Sequence, residues 1–351
     1  MKRSFTLILA VAVLFSWNSL GAQDIHFSQF YLSPLNLNPA MTGVMNCNIR
    51  LTANYRNQWA SVLRSDAFNT YSFSYDQRIP VGRQDFFGVG GTFWGDQAGE
   101  ANFSTLTGKL SASYSKRLGG QRQFGNYLVA GIEGGVAQRS LDFLNLRWGN
   151  QHDGDGGFDP GLDPGEDGFD RNNFLFADLA AGLLWFMVFD ENNNLYVGGA
   201  IHHLNRANQS FDSDGQDLLY NRVTFHGGGE FLMTDRLGLV PGVIVMSQGP
   251  SFQVNAGTSV KFLFGNNRMG NSQAFSLGLW TRLANQVDAG ILGDALILST
   301  RFDYNSFSLG FSYDINISPL QAATNAQGAF EFALTYKICG EERRGVYCPN
   351  F

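Results

Sequence analysis

The stretch Phe307-Ser-Leu-Gly-Phe-Ser-Tyr-Asp-Ile-Asn-Ile317 decides how the chain is read. Phe307, Leu309, Phe311, Tyr313, Ile315 and Ile317 alternate with Ser308, Gly310, Ser312, Asp314 and Asn316. Successive side chains of a strand point to opposite faces, so this segment has one apolar, aromatic face and one wet face. Such a strand can line the core of a soluble sandwich, or it can face lipid outside and a polar lumen inside. The pattern recurs at 49–59, 67–78, 86–94, 103–117, 125–138, 174–189 and 194–204. It returns at 222–232, 237–246, 252–264, 273–283, 294–304, 306–315 and 328–338, which predicts about fourteen strands. An even count and lengths near ten residues suit tilted crossings of a single-chain outer-membrane barrel. Short joints at 190–194 and 234–236 alternate with long ones at 142–173 and 205–221, the rhythm of tight turns at one end and loops at the other. No linker interrupts the strands, so 49–338 reads as one antiparallel β-barrel domain.

Composition agrees. Charged residues make up 15% of the chain, below the usual quarter or so, while glycine (42) and phenylalanine (31) are abundant. Mean hydropathy is only −0.12, as expected when a polar inner face cancels an apolar outer one. Beyond the first 22 residues the longest apolar run is 179–189, well short of the roughly 20 residues a spanning helix needs. Residues 1–22 read as a signal peptide: Lys2 and Arg3, an apolar run over 5–15, then Ser19, Gly21 and Ala22 before cleavage at Gln23. Removing Lys2 and Arg3 leaves 22 basic residues against 30 acidic, a net charge of −8. An acidic exported chain is unsuited to nucleic acid, whose binding rests on phosphate neutralisation. A soluble secreted β-rich adhesin would need an unusually large core to hide so many aromatic faces.

Residues 23–48 do not follow the alternation, and Pro34 and Pro39 break any regular element. They carry Phe27, Phe30, Tyr31, Leu32, Leu35 and Leu37, which would form an apolar patch if exposed. The segment is expected either to plug or strap the barrel or to dock a periplasmic partner. In the first strand, Ile49, Leu51, Ala53, Tyr55 and Trp59 point one way, and Arg50, Thr52, Asn54, Arg56 and Gln58 the other. Cys47 precedes that strand and Cys339 follows the last, so closure brings both to one seam in an oxidising compartment. A Cys47–Cys339 disulfide is expected, with Cys339–Cys348 as its rival and 339–351 as a short tail. The loop 142–173 gathers Asp153, Asp155 and Asp159 among glycines. Its spacing lacks the calcium ladder of an EF-hand, so a solvated acidic outer loop is expected, with calcium as the alternative. His202 and His203 are expected on opposite faces of a strand. No catalytic or cofactor motif is present, which points to a non-enzyme.

The mature chain opens Gln23-Asp-Ile-His-Phe-Ser-Gln-Phe-Tyr-Leu-Ser-Pro-Leu-Asn-Leu-Asn-Pro-Ala-Met-Thr-Gly43 and continues into Asn54-Tyr-Arg-Asn-Gln-Trp59. This resembles the PorP/SprF family of Bacteroidetes outer-membrane proteins. The matching residues are Phe27, Ser28, Gln29, Phe30, Asn38, Pro39, Ala40, Gly43, Tyr55, Arg56, Gln58 and Trp59, with Asp76 and Phe158-Asp-Pro160 through Gly165-Glu166 further on. The resemblance implies an accessory barrel of the type IX secretion system, seated in outer-membrane lipid. Its implied partners are other type IX components and a secreted cargo, often a gliding-motility adhesin; no cofactor or catalytic residue is implied. The runner-up function is a porin or small-solute channel.

Overall fold

A strand in lipid must satisfy every backbone N–H and C=O through a neighbour, which only a closed sheet achieves without an open edge. The computed structural model of the chain describes residues 24–82, 84–120, 124–152, 157–163, 165, 170–190, 192–264, 273–286, 290–340 and 348–349. Its first seven strands are Ile49–Gln58 (β1), Phe68–Val81 (β2), Asp85–Ala98 (β3), Phe103–Gly119 (β4), Gly125–Ser140 (β5), Asn173–Val188 (β6) and Asn194–His202 (β7). The remaining seven are Arg222–Thr234 (β8), Leu237–Gln248 (β9), Ser251–Leu263 (β10), Gln273–Gln286 (β11), Gly290–Tyr304 (β12), Phe307–Asn316 (β13) and Gln327–Ile338 (β14). Each pairs antiparallel with its sequence neighbours, and β1 closes on β14 from Ile49↔Ile338 to Gln58↔Ala329.

The faces are those of a barrel in lipid, the inverse of a soluble sandwich. In β13, Phe307, Leu309 and Phe311 are 49%, 54% and 39% exposed, whereas Ser308, Ser312 and Asp314 are 7%, 0% and 1% exposed. In β1 the wet set Arg50, Thr52, Asn54 and Arg56 is buried toward the lumen. No helix among the described residues is long and apolar enough to cross a membrane.

The strand positions follow the alternation, with several longer ends, while β7 stops two residues short of the predicted 204. β3 runs to Ala98 and β12 begins at Gly290, four residues beyond the predicted limits. The β3 extension holds Gly95, Asp96 and Gln97, where the apolar signal fades, and the β12 extension reads Gly290-Ile-Leu-Gly293, where the adjacent apolar pair Ile291 and Leu292 breaks the alternation. One expectation fails: His202 and His203 do not point to opposite faces. β7 ends at His202, and His203 takes a left-handed backbone (φ +58°) that turns it inward too, leaving both side chains buried.

The chain enters β1 and leaves β14 at one end, called lower here. The long connections 141–172 and 203–221 both lie at the upper end. Cys47 and Cys339 are disulfide-bonded at the lower seam, with Cα atoms 4.2 Å apart. Cys348 lies buried apart from that bridge, its Sγ 3.8 Å from Arg78 Nη1. Residues 1–22, expected from the sequence to be a signal peptide, lie outside the described residues, as do 341–347 and 350–351 of the tail.

Candidate functional site

Residues 24–48 thread the lumen from the upper end to the lower. Prolines shape this path. Pro34 opens the helical turn Pro34–Leu37, and Pro39 opens the 3-10 turn Pro39–Met41. Asn38 Oδ1 caps the second turn by accepting from Ala40 N (2.8 Å). Short turns satisfy part of the backbone locally, so the segment fits beside a sheet whose ladder is already complete.

At the upper anchor, the backbone N–H groups of Ser28 and Gln29 donate to the two oxygens of Glu331 (2.7 and 2.9 Å). Ser28 Oγ donates to the Asp314 carboxylate (2.9 Å) and accepts from Arg56 Nη1 (2.5 Å). Arg56 bridges Asp314 (2.9 Å) and Glu331 (3.3 Å). Arg282 bridges Asp314 (2.7 Å) and Asp294 (2.6 Å). Arg56, Arg282, Asp314 and Glu331 are all buried, so each charge depends on these partners.

Just below, Tyr31 stacks on Trp280 at 5.2 Å and Phe30 meets the indole edge-on at 5.7 Å, which fills the middle of the lumen with aromatic rings. Across from them Asn38 Nδ2 donates to Leu183 O (3.0 Å) and Gly199 O (3.2 Å) and lies 3.0 Å from His226 Nε2.

At the lower anchor, Gly43 N donates to Asp76 Oδ2 (2.7 Å), and Arg50 holds the same carboxylate through Nε (3.0 Å) and Nη2 (2.8 Å). Arg50 also donates to Met41 O (3.1 Å), Arg78 to Met45 O (2.9 Å) and Ser113 Oγ to Thr42 O (2.6 Å). The segment sits so close to the wall that side chains are excluded. Gly43 has φ +72°, and a Cβ on it would stand 2.7 Å from Gly88 Cα. A Cβ on Gly88 would collide with Thr42 O, and one on Gly131 would meet Ala40 Cα at 2.5 Å. Gly88→Val is therefore expected to cost about 1–3 kcal/mol by overpacking. Amide exchange at residues 40–45 should rise with it; unchanged protection would mean that the wall glycines do not seat the segment.

A third contact ties down the upper end. Asp24 Oδ2 lies 2.6 Å from His203 Nε2 and 3.1 Å from Arg222 Nη1, and His203 Nδ1 lies 2.9 Å from Asp178 Oδ1. Lys109 continues the chain of charges to Asp178 (2.8 Å) and Glu133 (3.2 Å). Burial disfavours a charged imidazole, but Asp24 and Asp178 outweigh it and lift His203 to about 8. Burial also opposes the Asp24 carboxylate, yet His203 and Arg222 hold it well below the usual carboxylate range. A raised histidine stabilises the folded arrangement fully below its ordinary value of about 6.5 and loses that contribution as pH rises through about 8. Asp24, being lowered, contributes throughout this window. Exchange at residues 24–27, corrected for intrinsic rate, should thus accelerate as pH passes from about 6.5 to above about 8. His203→Gln should abolish that step; a step that persists would assign it elsewhere.

The residues singled out in the sequence divide by face. Phe27, Ser28, Gln29, Phe30, Asn38, Pro39, Gly43 and Arg56 meet in the lumen, and Gln58 Oε1 accepts from Arg56 Nη2 (3.2 Å). Tyr55 points outward and donates to Asn69 Oδ1 (2.8 Å). Trp59 leaves the strand with φ +61° and packs on Phe68 at the upper rim. Asp159 is exposed, and its Oδ1 accepts from Gly161 N (2.9 Å). Asp153 and Asp155 lie outside the described residues, among which no group of three His, Cys, Asp or Glu side chains could hold a metal. Sequence reasoning missed Asp24, Asp178, Arg222, Arg282, Asp314, Glu331 and the role of His203. Asp314 and Glu331 were legible as charges on wet strand positions, because closure places β13 and β14 beside Arg56 on β1.

Apolar outer rows, a polar lumen and an N-terminal segment lying inside it define a membrane β-barrel that holds part of its own chain, a fold that points to the outer membrane. The protein belongs to the PorP/SprF family: the family model described as type IX secretion system membrane protein PorP/SprF matches residues 19–336. No curated protein matches the sequence. Among solved structures, CdiB from Acinetobacter baumannii aligns over 82% of this chain and 60% of its own, with 9% identity and a TM-score of 0.42. CdiB from Escherichia coli aligns over 82% and 63%, with 9% identity and a TM-score of 0.46. This chain therefore spans less than two thirds of either CdiB. The Ralstonia pickettii toluene transporter TbuX aligns over 86% and 92%, with 9% identity and a TM-score of 0.42.

Proposed function

We propose that the protein is a non-enzymatic accessory of type IX secretion that helps to export a cargo protein, such as an adhesin, or to attach it at the surface. The observation that carries this reading is the plug. Ser28, Gln29, Asn38 and Gly43 tie the N-terminal segment to the wall at three heights, which leaves the work to protein contacts at the barrel ends. Family membership supports partnership with other secretion components. The long loops 141–172 and 203–221 offer contact surface at the outer mouth, and the lower rim offers it on the periplasmic side.

The test is affinity purification of the tagged protein from outer membranes in mild detergent, with mass spectrometry of the chains that accompany it. Recovery of type IX components together with one large secreted protein is the expected result. A barrel that purifies alone and conducts ions in planar bilayers would replace the accessory role with a channel.

A further inference from the structure

The outward rows of β3 to β6 change chemistry near the upper rim. Along β4 they pass from Leu110 through Leu106 to Ser104, and along β5 from Ile132 and Val136 to Gln138 and Ser140. On β6 the row passes from Leu175 to Asn173. Leu110, Ile132, Val136 and Leu175 are among the most exposed apolar side chains of the molecule, so they mark the lipid-facing belt.

The polar residues that replace them are in register. Gln97 pairs with Ser104, Ser104 with Ser140, and Ser140 with Asn173, a ladder across four adjacent strands. Ser104 Oγ and Ser140 Oγ stand 2.7 Å apart, and Gln97 Nε2 donates to Asn102 Oδ1 (2.6 Å). The connections at 99–102 and 141–143 border the ladder to form an open cleft of about 760 Å³, with Tyr71 and Phe143 in its lining. That volume is typical of small-molecule sites.

The lining fixes the ligand class. No lysine or arginine lines the cleft among the described residues, so it lacks the cations that recognise phosphate; its acidic side chains are Asp96 and Asp142, whose carboxylate oxygens accept hydrogen bonds from hydroxyl groups. A purely apolar ligand would strip water from the amides without replacing their hydrogen bonds. Amides and hydroxyls each donate and accept, which matches the hydroxyl groups of a sugar ring, while aromatic rings cover its C–H face. The ladder also begins where the apolar belt ends, at the depth of lipid headgroups.

We propose that this cleft binds an uncharged sugar ring carried by a glycolipid of the leaflet that surrounds the upper rim. The proposal is independent of the secretion role. The full-length protein is placed in phosphatidylethanolamine nanodiscs with or without lipooligosaccharide purified from a Gram-negative outer membrane, and retained glycolipid is counted by native mass spectrometry. The Gln138→Leu Asn173→Leu double variant extends the apolar row on an outward surface, and its folding is checked by the heat-dependent gel shift of barrels. The wild type should retain at least about ten-fold more glycolipid than the folded variant, and lipid stripped of its sugars should not be retained. Equal retention by both proteins, or equal retention of stripped lipid, would overturn the assignment. A core oligosaccharide freed from lipid distinguishes the sources: competition supports recognition through the sugar. Binding of the free sugar without any retention of the glycolipid would overturn the lipid-borne source.

Discussion

Removing residues 24–45, with Cys47 kept, should raise the open-channel current in planar bilayers by at least about ten-fold over that of the full-length protein. The wall does not depend on that segment for its ladder, because β1 to β14 pair with one another all the way round. What the segment supplies is bulk and charge matching within the lumen. Phe30, Leu37, Met41 and Val44 pack on inward Phe86, Leu184, Phe186 and Ile297, and the Ser28–Gly43 stretch answers Asp314, Glu331, Asp76 and Arg50. Once it is gone, the remaining inner rows are largely short and polar, among them Thr52, Asn54, Ser72, Thr107 and Ser111. Rows of that kind hold water in a barrel of this strand number. If the shortened chain does not insert, the full-length Gly88→Val Gly131→Val variant asks the same question by pushing the turn at Pro39–Met41 off the wall. Current that stays at the wild-type level in a folded variant would mean that another part of the chain closes the lumen.

The barrel was legible because lipid and lumen impose opposite chemistry on alternate residues, so each strand repeats the message in Phe307–Asn316. The signal weakened where β3 leaves the apolar belt, which is why Gln97 fell outside the predicted limits, and the adjacent apolar pair Ile291 and Leu292 broke the alternation at the start of β12. The route of the plug was not legible. Residues 24–48 have no period, and their partners are remote in sequence: Ser28 and Glu331 are 303 positions apart. Their meeting depends on closure of β1 against β14, which no local pattern encodes. His203 escaped for a different reason, since a single left-handed residue at the end of β7 reversed the face that alternation assigns.

Arg56→Met should destabilise the folded protein by about 3–5 kcal/mol, the usual loss when one partner of a buried ion pair is removed. Arg56 is 2% exposed and lies against Asp314 and Glu331, which are 1% and 0% exposed. Methionine fills much of the volume but leaves Glu331 facing Ser28 N and Gln29 N without its arginine, while Asp314 keeps Arg282 at 2.7 Å. The double variant Arg56→Met Glu331→Gln should be less damaged than the sum of its parts, because a glutamine oxygen still accepts from the plug and no stranded charge remains. Lys116→Ala serves as a control: its contact with Asp85 lies at an exposed site and should leave the unfolding midpoint in urea unchanged. Two readouts locate the effect. If plug and wall form one cooperative unit, Arg56→Met lowers the unfolding midpoint and exposes the amides of residues 27–30 together. A midpoint that holds while those amides lose protection would instead make the segment a detachable stopper, since the ion pairs would then secure the plug without securing the β1–β14 seam.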